Sequence, residues 1–227
     1  MTRNLICMVA LMVPAHVVVS AGGGKNDGGV TIDKAKRTIT MDAKIAPRKL
    51  PHLDKIYPIE VIASWPHPKG KKAHETVVTI EALPSAVHKG LVDLGLKPGK
   101  PVMGGEDIPQ GPELNVYLDI PQADGETKRI SIDKAVIDPR TGKPLPKSVK
   151  WRFTGSAMIK PDPNKDEQAY GADVSGALMV VFPVSNQTVL QTNLSMKEEK
   201  YMKLETNAAL LPKEGTAVKL VLQAPEK

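Results

Sequence analysis

Apolar and polar residues alternate with a period of two along much of the chain after residue 30, as in β-strands with one buried face. The first example is Val30 and Ile32 followed by Ile39 and Met41, with the polar stretch 34–37 between them. This pattern predicts a β-hairpin. Further segments of alternating or β-branched residues predict strands at 61–65, 76–80, 114–120, 128–132, 149–153, 177–182, 187–191 and 217–222.

One segment has helical spacing instead. Val87, Leu91 and Leu94 form an apolar stripe that begins just after a proline, a residue favoured in the first turn of a helix. Gly95 follows the stripe, which is typical of a Schellman ending. The pattern predicts a helix over about residues 84–94. It must pack on the sheet, because a helix of about eleven residues is marginal in isolation.

These predicted elements define the fold class. Many short strands separated by Pro, Gly, Asn or Asp, with one clear helix, indicate an α+β, mainly β fold. We expect an antiparallel sheet or sandwich of short strands with one packed helix at about 84–94. The 20 prolines cluster in the connections, and no repeat or long linker divides the chain. Residues 30–227 are therefore predicted to form a single domain.

The N-terminal pattern differs from that of the remaining chain. Arg3 precedes an almost wholly apolar run over residues 5–19, and the sequence Val-Ser-Ala at 19–21 suits a cleavage site. The apolar run is shorter than the roughly 20 residues that cross a bilayer. We predict a cleaved signal peptide at 1–21, a flexible glycine-rich lead-in at 22–29, and no transmembrane segment after cleavage. The mature protein is then exported, to the periplasm or cell surface.

The amino-acid composition limits the chemistry that the mature protein can carry out. The only cysteine, Cys7, lies in the predicted signal peptide, so the mature chain is predicted to lack disulfides, iron–sulfur clusters and cysteine nucleophiles. Residues 25–100 contain 14 Lys and Arg against 8 Asp and Glu. This surplus suits an anionic surface, although solubilising lysines are the simpler interpretation. Aromatic residues make up 4% of the chain, too few for base stacking, so nucleic acid is not a predicted partner.

Several segments resemble the YdjY-type domain family. They are 67–77 (HPKGKKAHETV), 86–88 (AVH), 95–101 (GLKPGKP), 151–156 (WRFTGS), 184–186 (VSN) and 211–222 (LPKEGTAVKLVL). They occur in the expected order within residues 30–222. The resemblance implies an exported bacterial protein of a family without an established activity. The ferredoxin-like label of some members does not fit, because His67 and Pro183 stand where family cysteines are expected.

His67 and His74 are the main candidates for chemistry. If strands end near His67 and restart near His74, a hairpin places the two residues opposite each other, with Cβ atoms about 5 Å apart. Two imidazoles at that span can bind a borderline metal ion, so zinc or copper is the candidate cofactor. The third ligand is predicted among His88, Glu75 and Asp173. The simpler alternative is that the histidines bond to the backbone or cover apolar surface.

Three functions remain open from the sequence. The first is a non-catalytic exported module that binds an envelope protein or a small ligand through Lys69, Lys71, Glu75 and Asn186. The second is a metal-binding protein centred on the histidine pair. The third is an enzyme with an acid–base site at His74 and Glu75. We favour the first, because no complete catalytic motif is present.

Overall fold

The structure is a computed structural model that describes residues 25–26 and 28–226; the predicted signal peptide, 1–21, lies outside them. Its strands are β1 (Lys25–Asn26), β2 (Val30–Asp33), β3 (Thr38–Ile45), β4 (Val61–Ser64), β5 (Thr76–Ile80), β6 (Glu113–Pro121), β7 (Thr127–Ser131), β8 (Val136–Asp138), β9 (Lys143–Pro144), β10 (Trp151–Phe153), β11 (Met158–Ile159), β12 (Ala169–Tyr170), β13 (Ala177–Val180), β14 (Leu190–Thr192), β15 (Glu205–Thr206) and β16 (Ala217–Gln223). Its helices are α1 (Pro84–Asp93), α2 (Gly171–Ser175) and α3 (Met196–Glu199), with single 3-10 turns at Ala73–Glu75 and Ile132–Ala135.

Eight strands form a closed barrel. They follow the order β3, β16, β6, β10, β14, β13, β4, β5, and β5 pairs with β3 to close the ring. The β13–β14 and β4–β5 pairs are parallel, and the other pairs in the ring are antiparallel. The predicted antiparallel sheet or sandwich is therefore wrong, whereas the predominance of strands is confirmed. The alternation of apolar and polar residues shows which face of a strand is buried. It does not show the direction of the strand or whether the sheet closes into a barrel.

Two barrel strands each have two neighbours along one edge. β3 pairs with β2 through residues 38–41 and with β5 through residues 43–45. β6 pairs with β10 at 113–114 and with β7 at 117–121. Consequently β1, β2 and β7 extend the sheet outside the closed ring. The predicted N-terminal hairpin is confirmed as the β2–β3 pair.

The interior is filled by the alternate side chains that point into the ring. In β3, the residues from Ile39 to Ile45 are buried at every second position, whereas Asp42 and Lys44 are exposed. Phe153 and Leu118 are among the large side chains with almost no exposure. Each such burial stabilises the fold by about 1.5–3 kcal/mol. A chain of roughly 200 residues can build a sufficient core in this way without disulfides.

Helix α1 closes one end of the barrel. Leu91 is fully buried, and a Cβ on Gly90 would lie only 2.8 Å from Cδ1 of Ile39. The helix ends as its sequence predicts, since the N–H of Leu96 donates to the carbonyl of Leu91 at 3.1 Å. Gly95 has φ +87°, the left-handed conformation of a Schellman motif. The predicted helix is thus confirmed as α1.

The small sheet of β15, β8 and β9 covers the opposite end of the barrel. Val136, Leu145 and Leu204, in or beside these strands, are buried in the same core as the barrel residues. The N–H of Ile59, just before β4, donates to the carbonyl of Leu204 at 2.7 Å. Among the described residues, no helix is both long and apolar enough to cross a membrane.

Part of the predicted flexible lead-in belongs to the sheet. Residues 25–26 pair with β2, and Gly28 has φ +102°. A Cβ on Gly28 would lie 2.5 Å from the Cβ of Ala86, and its carbonyl accepts from the N–H of Leu83 at 2.9 Å. The turn after β1 therefore packs directly on the start of α1.

Replacing Gly70 with alanine should destabilise the fold by about 3 kcal/mol. A Cβ at Gly70 would lie 1.9 Å from the carbonyl oxygen of Trp65, so backbone would have to move. Gly125→Ala is the matched control, because Gly125 has φ +84° and no atom within 4 Å of the added Cβ. Alanine in this left-handed conformation is strained, so the control should lose about 1–2 kcal/mol of its free energy of unfolding. Urea denaturation measures both variants, and equal losses would contradict the close approach at Gly70.

Candidate functional site

The chain crosses the length of the barrel between β4 and β5, in residues 65–75, which we call the crossover segment. β4 and β5 are parallel, with Ser64 opposite Thr79, and β5 leads directly towards α1. Parallel strands cannot be joined by a tight turn. The predicted hairpin between His67 and His74 is therefore wrong, and cross-strand pairing does not bring these two imidazoles together.

His67 is exposed and stacks on His52, a residue that the sequence analysis did not single out. The ring centroids are 4.2 Å apart and the ring planes are inclined by 28°. His52 lies in a turn in which the N–H of Leu53 donates to the carbonyl of Leu50 at 3.0 Å. Within the part of the chain that the structure describes, neither ring makes a hydrogen bond or ion pair.

A groove of about 530 Å³ lies beside the stacked histidines, and we call it the crossover groove. It is lined by Lys44, Ile45, Pro47, Leu50, Pro51, Pro66, His67, Ala73, Thr79, Glu214 and Gly215. The lining is mainly apolar, with one basic and one acidic side chain. Its volume falls within the range of about 300–1,000 Å³ that is typical of ligand sites.

His74 and Glu75 lie in the 3-10 turn that precedes β5. Nε2 of His74 is 3.1 Å from Oε1 of Glu75, and the ring of Tyr57 packs edge-on against His74 at 4.9 Å. Neighbouring residues of a strand would point to opposite faces, but the turn directs this pair to one side. The two groups therefore have the contact that an acid–base pair requires.

Lys72 connects Glu75 to Glu60, the residue that precedes β4. Its Nζ lies 2.7 Å from Oε2 of Glu75 and 3.2 Å from Oε2 of Glu60. Burial, reinforced by repulsion from Glu75, raises the pKa of Glu60 above its ordinary value. Burial works to lower the pKa of Lys72, but its contacts with both carboxylates leave that pKa raised. We call these three residues the ion cluster; it ties the crossover segment to the starts of β4 and β5.

His88 on α1 and Tyr170 beside α2 form a second polar centre. Nδ1 of His88 lies 2.7 Å from the Tyr170 hydroxyl, and Phe153 packs edge-on against the imidazole at 5.0 Å. Burial lowers the pKa of His88; burial and then the charge of Asp173 raise the pKa of Tyr170. Both side chains are therefore neutral at pH 7, and Nδ1 and the hydroxyl share one hydrogen bond. Asp173 itself accepts from the N–H of Ser85, in the first turn of α1, at 2.9 Å.

Four of the family-like segments meet at this second centre. A Cβ on Gly155 would lie 3.0 Å from the Cβ of Pro98 and 3.4 Å from Cε1 of His88. The carbonyl of Asn186 accepts from the N–H of Ala157 at 3.0 Å. The segments brought together are 86–88, 95–101, 151–156 and 184–186.

The other predicted binding residues do not gather at one place. Lys69 and Lys71 are exposed on the crossover segment, and the N–H of Lys71 donates to the carbonyl of Ser175 at 3.0 Å. Asn186 lies beside the second polar centre, where its carbonyl accepts from the N–H of Ala157. Within residues 25–26 and 28–226, no group of three or more His, Cys, Asp or Glu side chains is placed to hold a metal ion. The three histidines predicted as ligands therefore do not form such a group.

The sequence analysis missed His52, Glu60, Lys72 and Tyr170. A local signal exists for Lys72, which lies three residues before Glu75 and so can reach it within one turn. The other three contacts join residues on separate segments of the chain, as Tyr170 does with His88 across 82 positions. Only the folded chain defines them.

Comparison with known proteins identifies the domain. A family model described as the YdjY domain matches residues 30–223. No curated protein and no solved structure matches the chain. The matched range begins with the first residue of β2 and ends with the last residue of β16, so it includes the whole barrel and the segments that cover its ends.

Replacing Glu60 with glutamine should stabilise the protein at pH 7.5. The folded state raises the pKa of Glu60 above its ordinary value of 4.5, so stability associated with the protonated form is present below pH 4.5 and lost as the pH rises through the folded value. Glutamine resembles the protonated form at every pH. We expect a melting temperature about 2 °C higher at pH 7.5 and no difference near pH 4. Glu126→Gln, at an exposed site, is the control; a lower melting temperature for Glu60→Gln at pH 7.5 would contradict the prediction.

Replacing His88 with glutamine should flatten the decline in stability between pH 7 and pH 5. The pKa of His88 is lowered from 6.5 in the folded state, so the unfolded chain binds the proton first as the pH falls. Its contribution to stability is therefore present above pH 6.5 and lost below it. Urea unfolding across this range measures the slope for both proteins. Identical slopes would show that His88 titrates equally in the folded and unfolded chains.

Proposed function

The chain belongs to the YdjY domain family, and on this premise we propose that it is a non-catalytic binding module of the bacterial envelope, whose partner is a short polypeptide segment held in the crossover groove. The observation that supports this proposal is the groove itself. One of its walls is Pro66, His67 and Ala73, which lie in or next to the family-like stretch 67–77. The partner is an envelope protein that presents an extended, largely apolar segment.

The form of the groove favours a polypeptide over a small molecule. Small-molecule sites enclose most of the ligand surface, whereas this groove is open to solvent. A polypeptide segment can lie in it while the rest of the partner makes contacts elsewhere. Lys44 and Glu214 line the groove with opposite charges, which suits a segment carrying an acidic and a basic residue on either side of an apolar one.

The walls of the groove are held in place by hydrogen bonds from main-chain N–H groups. The N–H of Ala46 donates to the carbonyl of Val77 at 2.9 Å, and that of Gly215 to the carbonyl of Ile45 at 2.8 Å. The N–H of Arg48 donates to Oε1 of Glu214 at 2.8 Å. Because little further ordering is needed on binding, less of the interaction energy is lost to conformational entropy.

Export is part of the same proposal. Residues 1–21 have the charge and apolar run of a signal peptide. Cleavage after Ala21 would leave the matched range 30–223 complete, together with β1 and the turn that packs on α1. The mature protein would then meet its partner in the periplasm or at the cell surface.

A photo-crosslinking amino acid in place of Lys44 should capture the partner segment in intact cells. Lys44 is exposed and lines the groove. The same amino acid in place of Lys128, exposed on β7, is the matched control. Mass spectrometry of the crosslinked peptide identifies the segment. Equal capture of the same peptides from both positions would contradict binding in the groove.

The captured segment, made as a synthetic peptide, should bind Thr79→Arg at least tenfold more weakly, about 1.4 kcal/mol. Thr79 is half-buried in the lining of the groove, so a longer charged side chain there would occupy it. Thr127→Arg, at an exposed position of β7, should bind with unchanged affinity. Fluorescence anisotropy measures both, and equal affinity of the two variants would overturn the proposal.

A further inference from the structure

The stacked pair of His52 and His67 offers chemistry that the proposed peptide site does not use. The two imidazoles come from different segments of the chain, and their centroids are 4.2 Å apart. We propose that His52 and His67 together bind a divalent transition-metal ion, copper(II) more tightly than zinc(II), at the rim of the crossover groove. This inference stands independently of the peptide partner.

The ring nitrogens of this pair are free to coordinate. Among the described residues, neither His52 nor His67 has a hydrogen-bond partner. By contrast, Nε2 of His74 contacts Glu75 at 3.1 Å, and Nδ1 of His88 contacts the Tyr170 hydroxyl at 2.7 Å. A metal ion at the contacting nitrogen of either of those histidines would compete with that partner, whereas both nitrogens of His52 and of His67 are available.

The separation of the rings suits two ligands on one ion. Imidazole nitrogens bind zinc at about 2.0–2.1 Å, so two nitrogens on the same ion can be at most about 4 Å apart. The ring centroids are 4.2 Å apart, close to this limit. The lone pairs lie in the two nearly parallel ring planes, so both rings must turn before the nitrogens converge on one ion. Both histidines are exposed, so their side-chain torsions can turn the two lone pairs towards a common point without moving the core.

The type of ion follows from the ligands. Imidazole is a borderline donor that favours copper(II), nickel(II) and zinc(II) over magnesium and calcium, and copper(II) binds most tightly in the series. The other coordination positions would be filled by water. Charges near the pair oppose one another, since Lys44 and Glu214 both line the adjoining groove and Asp54 is followed by Lys55 in the loop of His52.

The site differs from the predicted one in both partner and location. The sequence pairs His67 with His74 across a hairpin, but the parallel β4–β5 pair removes that hairpin. His67 instead meets His52 at the groove. An ion held there keeps open positions beside the groove, where a donor atom from a bound partner can reach it.

Copper(II) titration of the full chain, purified without a polyhistidine tag and stripped with a chelator, tests this site. Isothermal calorimetry should show one equivalent of copper(II) per chain and weaker binding of zinc(II). Electron paramagnetic resonance of the copper(II) complex should show two nitrogen ligands. His52→Ala and His67→Ala should each weaken copper binding at least tenfold and leave one nitrogen ligand in the spectrum.

His74→Gln is the matched control, because it removes one imidazole whose Nε2 is already engaged by Glu75. It should keep the wild-type copper affinity and the two-nitrogen spectrum. The metal-free alanine variants should melt with the wild type, since both histidines are exposed. Absence of copper binding, unchanged binding in the doubly substituted chain, or equal loss in His74→Gln would each overturn the inference.

Discussion

The parallel pairing of β4 with β5 is the constraint on which the rest of the structure depends. It places β5 where its other edge can pair with residues 43–45 of β3, and that pairing closes the ring. It also obliges the chain to return along the barrel before β5 begins, because parallel strands need a crossover. The crossover segment is therefore a consequence of closure, and it supplies a wall of the groove.

The crossover segment is fixed near both ends, and residues 67–69 between them are exposed. At one end, the N–H of Trp65 bonds to the carbonyl of Gly176 and its indole Nε1 donates to the carbonyl of Ala82 at 2.9 Å. At the other end, Lys72 bridges the carboxylates of the ion cluster. His67 and the residues that follow it are thus presented to solvent on a segment whose position the barrel determines. This arrangement allows a surface loop to hold a defined geometry.

Features with local causes could be predicted from the sequence. β5 spans the same residues, 76–80, as the run of β-branched residues, and α1 ends two residues before Gly95, the glycine that follows its apolar stripe. The direction of β4 has no local cause in the sequence, because a buried strand has the same apolar residues in a parallel or an antiparallel pair. The predicted hairpin treats His74 and Glu75 as strand residues, but the turn before β5 places them side by side. The stacking of His52 on His67 depends on a loop whose path only the closed barrel defines.

The position of β16 has a consequence for the order in which the molecule assembles. β16 pairs with β3 along its full length and with β6 over residues 219–223, so it joins the first long strand of the barrel to the middle of the chain. Until residue 223 has left the ribosome, the ring has a gap and its apolar interior is open to water. Closure of the ring must then follow synthesis of β16, since contacts this distant in sequence form late.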